Sequence, residues 1–203
     1  MEQRADTGIY LASNSPRRQE LLRQIGVPFK RLPSGCPHEV DEAVRAGEAV
    51  EAYVLRLAAE KAQAGRTCAA ALGLPPLPVL GADTAVAIGG ITLGKPADAA
   101  AATAMLERLS GRIHRVLTGV AVAFEGGVET ALSATEVEFK ALSPEEVRRY
   151  VATGESLDKA GAYAVQGRAA VFVRRLSGSY SGVVGLPLFE TAALLTQLGV
   201  ELS

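Results

Sequence analysis

Short apolar runs alternate with amphipathic helical patterns along the whole chain, and this alternation limits the possible folds more than any other feature. Residues 9–12 form an apolar run that leads directly into a helical pattern ending near residue 25, and the last such pattern covers 186–198. No segment is repeated, and no stretch is long enough to act as a linker between domains. Interleaved strands and helices predict an α/β fold, with residues 1–203 in a single domain.

Capping and turn signals set the boundaries between these elements. Ser15 and Pro16 suit the start of the first helix, and Ser143 with Pro144 suits the start of a later one. The other predicted helices run from about residue 50 to beyond residue 61 and over 96–109. The other predicted strands are 29–32, 79–88, 114–124, 128–140 and 169–176.

The charge balance argues against one broad class of function. The 203 residues carry a net charge of −1, whereas a dedicated nucleic-acid binder usually has a large basic excess. The first eight residues are polar, and no segment reaches the ~18 uninterrupted apolar residues of a membrane span. We therefore predict a cytoplasmic protein that binds neither membranes nor nucleic acid.

Cysteine and histidine are both scarce. Cys36 and Cys68 are too few for a disulfide framework, so the expectation is two free thiols, with one disulfide as the alternative. His38 and His114 leave no His/Cys cluster for zinc. His114 lies beside a run of Val and Leu and is predicted to be structural.

The first strand-to-helix junction has the composition of an anion site. Ser13, Ser15, Arg17 and Arg18 lie together where a helix begins. The first turn of a helix carries unpaired N–H groups and the positive end of the helix dipole, so hydroxyl and guanidinium groups there favour phosphate binding. The alternative is an ordinary helix cap followed by exposed arginines.

Asp83 is a lone aspartate at the end of an apolar strand, in the segment Gly81-Ala82-Asp83-Thr84. A carboxylate in such a strand is costly to bury unless it binds a metal ion, forms an ion pair or accepts hydrogen bonds. It is therefore a candidate metal ligand or general base for an attacking water molecule. The alternative is an acceptor that shapes a local turn.

Two later segments contain further candidate residues. The run from Gly89 to Lys95 imitates a phosphate-binding Walker A loop, but Pro96 replaces the required Ser or Thr, which also argues against a kinase. Lys95 can still act as a point charge towards a phosphate. The polar loop that ends at Gln166 and Gly167 is either functional or a simple connection.

Taken together, these segments resemble the Maf family of nucleotide pyrophosphatases. The matching pieces occur in order across nearly the whole chain. They are Leu-Ala-Ser-x-Ser-Pro-Arg-Arg-x-Glu-Leu-Leu at 11–22, Ala-x-x-Lys-Ala at 58–62, Gly-Ala-Asp-Thr at 81–84, Leu-Gly-Lys-Pro at 93–96, Leu-Ser-Gly-Arg at 109–112, Asp-Lys-Ala-Gly-Ala-Tyr at 158–163 and Val-Gly-Leu-Pro at 184–187.

The resemblance implies a homodimeric enzyme with a Maf/ITPase-like mixed sheet, flanking helices and two lobes around a central cleft. It also implies that a nucleoside triphosphate is hydrolysed to the monophosphate and pyrophosphate with Mg²⁺ or Mn²⁺. Asp83 matches the catalytic and metal-binding aspartate of the family. Residues that match the phosphate loop or the cleft of the family are Ser15, Arg17, Arg18, Lys61, Lys95 and Gln166.

The family also places an acidic residue early in the chain, within a Ser-x-x-Glu stretch. In this sequence a strict count from Ser34 lands on Pro37, so an insertion must shift the acid. Glu39, Asp41 and Glu42 are all candidates, and Asp41 and Glu42 fit better than Glu39.

The specificity positions of the family fall on Arg17, Thr84 and Gln166. Uracil and thymine present an N–H donor beside carbonyl acceptors, which a glutamine amide complements. The sequence therefore resembles the subgroup that acts on dTTP and UTP, with CTP and modified pyrimidine nucleotides left open. The biological role would be cleansing of the nucleotide pool or arrest of cell division. The alternative is a nucleotide-sensing module that acts on septum formation without catalysis.

Overall fold

The computed structural model describes residues 8–33, 36 and 40–202. The candidate acid Glu39 lies outside these residues. Seven strands are present in the described part of the chain: β1 (Ile9–Leu11), β2 (Phe29–Arg31), β3 (Val79–Ile88), β4 (Ile91–Leu93), β5 (Ile113–Phe124), β6 (Gly127–Phe139) and β7 (Val173–Ser177).

The described residues also contain six α-helices and two short 3₁₀ helices, which lie between and after these strands. The α-helices are α1 (Pro16–Gln24), α2 (Val50–Ala71), α3 (Ala99–Leu109), α4 (Pro144–Val151), α5 (Tyr180–Val184) and α6 (Leu188–Gln197). The 3₁₀ helices are Ala160–Ala162 and Arg168–Phe172. None of the helices in the described residues is both long and apolar enough to cross a bilayer.

The strands form one mixed sheet. Its order is β2-β1-β3-β5-β6-β7, with β4 paired to β3 outside this path. β1 runs parallel to β2 and β3, whereas β4 is antiparallel to β3 and β7 is antiparallel to β6. The prediction of an α/β fold with a mixed sheet and flanking helices is therefore confirmed.

Two compact units divide the chain. The first comprises Met1–Asp83, Thr118–Ser133 and Gly185–Ser203, and the second comprises Thr84–Leu117 and Ala134–Val184. The core of the second unit includes Leu106, Phe139 and Phe172, and the first unit has separate apolar clusters beneath α2. That residues 1–203 form a single domain stays a prediction.

The structure corrects two predicted boundaries. The predicted strand 169–176 begins as the 3₁₀ helix Arg168–Phe172, and only Val173 onwards pairs with β6. The helix predicted over 96–109 begins at Ala99, because the Asp98 carboxylate accepts a hydrogen bond from the Ala101 N–H at 2.7 Å and so caps it. The predicted opening of α4 is confirmed by reciprocal hydrogen bonds between Ser143 and Glu146.

The prediction of free thiols is wrong, because Cys36 and Cys68 form a disulfide. Cys68 lies on α2, and Cys36 belongs to the segment between β2 and α2. Their Cα atoms are 5.5 Å apart although 32 positions separate them in sequence. Cys36 is buried in a small apolar cluster with Tyr10 and Val79. A sequence with two cysteines does not reveal this proximity, because only the folded chain brings them together.

Helix α2 lies directly on the sheet because glycines replace side chains at the contact. A Cβ atom on Gly81 would lie 2.5 Å from the Ala58 carbonyl oxygen and 2.7 Å from the Ala62 nitrogen. A Cβ atom on Gly119 would lie 2.4 Å from the Val54 carbonyl oxygen. These obstacles are backbone atoms of α2, so the helix itself would have to move. The close approach therefore fixes where the side chains of α2 meet β3.

We expect Gly81→Ala to lower the free energy of unfolding by about 1–3 kcal/mol, the usual cost of overpacking a closed interface. Urea unfolding at neutral pH measures this change. The matched control is Gly94→Ala, because Gly94 has open space around it and a backbone conformation that alanine tolerates. The control is expected to be neutral or slightly stabilising, and equal destabilisation by both variants would contradict the packing explanation.

Candidate functional site

The centre of the candidate site is a lysine that binds two carboxylates. Lys61 Nζ donates hydrogen bonds to Asp83 Oδ1 and to Glu42 Oε1, each at 2.7 Å. Lys61 and Asp83 are largely buried, with 13% and 14% of their side chains exposed, whereas the Glu42 side chain is 55% exposed. Helix α2 supplies Lys61, and β3 supplies Asp83. The close packing of α2 at Gly81 brings these two side chains together.

Arg18 provides a second cationic group in the same unit. Its Nε donates to the Gly185 carbonyl oxygen at 2.8 Å, and its Nη1 donates to Ser13 Oγ at 3.2 Å. Burial lowers the pKa of the Arg18 guanidinium, while the nearby charge of Asp83 acts in the opposite direction. An arginine with a lowered pKa is still protonated at neutral pH. The half-buried Arg18 is therefore a fixed positive charge near Asp83.

The start of α1 has the arrangement that the sequence predicts, with one difference. Ser15 is the N-cap residue and Pro16 follows it, but the Ser15 side chain makes no capping hydrogen bond. Instead, the Ser15 backbone N–H donates to Ser13 Oγ at 3.2 Å. Arg17 is half-buried and close enough to Arg18 for its charge to lower the pKa of that residue. The first unit thus brings together Ser13, Ser15, Arg17, Arg18, Lys61 and Asp83.

Among the candidate early acids, the geometry favours Glu42. The Glu42 carboxylate binds Lys61, whereas Asp41 Oδ1 accepts a hydrogen bond from the Ala43 N–H at 3.0 Å and so shapes a local turn. Glu39 lies outside the described residues. We therefore place Glu42, and not Asp41, beside the Lys61–Asp83 pair.

The two carboxylates that bind Lys61 are the candidate ligands for a divalent cation. No group of three His, Cys, Asp or Glu side chains able to surround a metal ion occurs in residues 8–33, 36 and 40–202. However, Mg²⁺ commonly binds one or two carboxylates and completes its shell with water and substrate phosphates. Asp83 and Glu42, both within hydrogen-bond reach of the same ammonium group, offer such a pair. They are the residues that would hold the ion.

The remaining predicted site residues belong to the second unit. Lys95 is exposed and follows β4, and the carbonyl of the preceding Gly94 accepts a hydrogen bond from the Gly161 N–H at 3.0 Å. Thr84 is half-buried in β3, next to Asp83. Consecutive strand residues point to opposite faces of a sheet, so the Thr84 and Asp83 side chains point in opposite directions.

Gln166 lies on a turn that a glutamate holds in place. Both Glu155 carboxylate oxygens accept from the Arg168 N–H, at 3.1 and 3.2 Å, and Tyr150 Oη donates to Glu155 Oε1 at 2.9 Å. A Cβ atom on Gly167 would lie 2.3 Å from Glu155 Oε1, so a side chain there would displace the carboxylate. The Gln166 side chain itself is exposed. Glu155 therefore fixes the backbone that presents Gln166.

The sequence interpretation missed several residues that organise the site. Glu155 was not a candidate, and neither were Tyr53 and Arg56, which contact the segment that carries Glu42, nor Glu48, the partner of Arg56 in that segment. In sequence, Tyr53 and Arg56 look like ordinary residues of an amphipathic helix. Their spacing of three residues, which places them on one helix face, is a signal that could have grouped them.

His114 is structural, as the sequence predicts. It is 2% exposed in the core of the second unit, and its Nε2 lies 2.8 Å from Tyr163 Oη. Its ring also packs edge-on against Phe139 and Tyr163. Burial lowers the pKa of His114 to about 4, so the ring is neutral at physiological pH. The group therefore stabilises the fold in its uncharged form.

This lowered pKa predicts a loss of stability in mild acid. The unfolded chain binds a proton at His114 below pH 6.5, whereas the folded chain does not until about pH 4, so the stability falls as the pH drops through this window. We expect a loss of about 1 kcal/mol between pH 7 and pH 5.5, measured by urea unfolding. His114→Gln should remove most of this difference. An unchanged difference in that variant would assign the effect to another group.

Comparisons with known proteins agree with these observations. The family described as Maf-like protein matches residues 8–198. A protein of Ralstonia nicotianae named dTTP/UTP pyrophosphatase is 55% identical over 197 residues, which cover 96% of this chain and 95% of the relative. Proteins with the same name from Cupriavidus metallidurans and Burkholderia pseudomallei are 55% and 57% identical. Their matches cover 95% and 92% of this chain, and 98% and 91% of the relatives.

Proposed function

The chain belongs to the Maf family, and we propose that it hydrolyses dTTP and UTP to the nucleoside monophosphate and pyrophosphate. The relatives that carry this activity in their names match the chain over almost its full length. The activity is that of a hydrolase acting on a phosphoric anhydride bond. The observation within the molecule that supports it best is Lys61 between the Asp83 and Glu42 carboxylates, with Arg18 nearby.

The cationic groups of the first unit would bind the polyphosphate. Arg17, Arg18 and Lys61 supply positive charge, and Ser13 and Ser15 supply hydroxyl groups. Charge-assisted hydrogen bonds of this kind contribute roughly 1.5–3 kcal/mol each. Because Arg18 is held by Gly185 and Ser13, its charge is already oriented before the substrate binds. Lys95 would add a further point charge, as the family resemblance implies.

Asp83 would act as the general base. Lys61 binds Oδ1 and so orients the carboxylate, and we assign to Oδ2 the removal of a proton from the attacking water. In-line attack at the α-phosphorus would expel pyrophosphate. Hydrolysis in ¹⁸O-labelled water tests this point, because the label then appears in the monophosphate.

A bound Mg²⁺ or Mn²⁺ ion, held by Asp83 and Glu42, would polarise the phosphate oxygens and neutralise part of their charge. Within the chain, the role of Glu42 is to share Lys61 with Asp83 and to add a second negative oxygen at the site. Mg²⁺ and Mn²⁺ can be compared directly in the activity assay described below.

Base recognition would depend on Gln166, with Arg17 and Thr84 at the other specificity positions. The glutamine amide offers one acceptor and one donor group, which match the N–H and carbonyl groups of uracil and thymine. CTP and modified pyrimidine nucleotides are further candidate substrates, because a flipped amide can also pair with cytosine. The biological role would be removal of unwanted nucleotides or arrest of division.

Pyrophosphate release from UTP, dTTP, CTP, GTP and ATP, with Mg²⁺ or with EDTA, tests the proposal. We expect release from UTP and dTTP that EDTA abolishes, and much slower release from the purine nucleotides. Release of inorganic phosphate instead of pyrophosphate would contradict the assigned bond. Tight UTP binding without turnover would favour the alternative function, a nucleotide-sensing module acting on septum formation.

We also propose that the enzyme is a homodimer that works in the cytoplasm, where nucleoside triphosphates are made. The dimer follows from the family resemblance, and sedimentation of the purified protein tests it directly. A monomer at micromolar concentration would contradict this part of the proposal.

A further inference from the structure

Glu42 lies on a segment that has no regular secondary structure of its own. Residues 40–49 form neither helix nor strand, and residues 41–47 are exposed. Fixing such a segment in one conformation costs conformational entropy, so specific contacts are needed to keep it ordered. Nevertheless, its Glu42 carboxylate lies 2.7 Å from Lys61. The contacts that place it come from one face of α2.

Arg56 on α2 makes five N–H hydrogen bonds, four to this segment and one to Glu60 of α2 itself. Nε and Nη2 bind the two oxygens of Glu48 at 2.6 and 2.8 Å, and a second hydrogen of Nη2 goes to the Ala43 carbonyl oxygen at 3.1 Å. Nη1 donates to the Asp41 carbonyl oxygen and to Glu60 Oε2, both at 3.3 Å. The Arg56 side chain is 12% exposed, so these bonds are partly shielded from water.

Tyr53 completes the set of contacts. Its hydroxyl donates to the Glu42 carbonyl oxygen at 3.0 Å. Two side chains, three residues apart on α2, therefore bind three consecutive backbone carbonyls, those of Asp41, Glu42 and Ala43. The middle carbonyl belongs to the residue whose side chain binds Lys61. These contacts fix the backbone from which the Glu42 side chain projects.

We propose that Arg56 and Tyr53 are positioning residues of the enzyme, which hold the backbone at 41–43 so that Glu42 stays against the Lys61–Asp83 pair. This inference rests on the proposed function. The Arg56–Glu48 ion pair would then help to position Glu42 as well as stabilise the fold. The Arg56 hydrogen bonds lower the pKa of Glu48 to about 2, so that Glu48 is ionised and paired at neutral pH.

A lysine cannot reproduce these contacts, because its single ammonium group has three donors and no planar fork. Arg56→Lys is therefore expected to retain an ion pair with Glu48 or Glu60 but to release the carbonyls. We expect kcat for UTP to fall roughly tenfold, since small displacements of catalytic groups are costly. Tyr53→Phe removes one hydrogen bond and keeps the ring, and a fall of about threefold is expected.

The decisive measurement is whether Arg56 acts through Glu42. In a Glu42→Gln background, Arg56→Lys should lower kcat by less than about twofold, because the group that it positions has already lost its charge. The same fold loss in both backgrounds would show that Arg56 acts on folding alone and would overturn the proposal. Full activity of Glu42→Gln or of Arg56→Lys would overturn it as well.

Hydrogen exchange provides a readout that does not depend on activity. Arg56→Lys should increase exchange in residues 40–48, including the Ala43 N–H, while α2 itself stays protected. The matched control is Arg45→Lys, because the Arg45 side chain binds Glu60 and is 65% exposed. The control should match the wild type in kcat and exchange. If the wild type releases no pyrophosphate, the proposed function is wrong. Unchanged hydrogen exchange in Arg56→Lys would separately refute the proposal that Arg56 positions Glu42.

Discussion

Asp83→Asn is expected to lower kcat for UTP by about 10²–10⁴-fold, the usual contribution of a general base. The amide has nearly the same shape as the carboxylate but neither its charge nor its basicity. It would therefore leave the strand intact while removing the proton acceptor and one of the two anionic partners of Lys61. Steady-state pyrophosphate release at saturating UTP and Mg²⁺ measures the effect.

The matched control for this variant is Asp98→Asn. Asp98 caps α3, and asparagine caps helices about as well as aspartate, so both activity and stability should be retained. We expect Asp83→Asn to fold, because Lys61 keeps Glu42 as a partner. Urea unfolding verifies that it does. Turnover within tenfold of the wild type, in a folded Asp83→Asn variant, would mean that Asp83 is not the base.

Reduction of the Cys36–Cys68 disulfide is expected to lower the free energy of unfolding by about 3–4 kcal/mol. The bond closes a loop between positions 32 residues apart, and opening it increases the conformational freedom of the unfolded chain. In a chain of this size the melting temperature should fall by roughly 10 °C. Thermal unfolding with and without dithiothreitol measures the difference.

The double variant Cys36→Ala with Cys68→Ala is the control for the reductant itself. It should unfold at about the temperature of the reduced wild type and should not respond to dithiothreitol. Thiol titration in denaturant gives a direct count, and no free thiol is expected before reduction. Two reactive thiols in the purified, non-reduced protein would contradict the disulfide.

Much of the fold could be predicted from local patterns in the sequence. The start of α4 depends on residues that adjoin each other, Ser143, Pro144 and Glu146, so the signal and the structure lie in the same place. The prediction of a strand over 169–176 was partly wrong, because strand pairing depends on residues elsewhere in the chain. Its apolar composition suits a buried strand, but the first half is wound into a 3₁₀ helix and only the second half pairs with β6. Periodicity does not reveal which residues find a partner.

Some residues of the candidate site could also be predicted from the sequence, and others could not. Asp83 and Arg18 could be predicted, because a carboxylate in an apolar strand and a cation at a helix start are unusual in themselves. Lys61 could be predicted only from its match to the family motif Ala-x-x-Lys-Ala. The choice among the early acids could not be made, because it depends on contacts between distant parts of the chain. Arg56 and Tyr53 were missed for that reason, since their partners are backbone carbonyls, which have no signature in a sequence.

The segment that carries Glu42 is anchored at two points, by the disulfide at Cys36 and by the α2 contacts at residues 41–43. The number of residues between these anchors can change over evolution while the acid keeps its place, because each extra residue in a surface loop adds little closure entropy. In this chain a count forward from Ser34 lands on Pro37 and so misses the acid. Counting backward from the Tyr53 and Arg56 pair on α2 would find it.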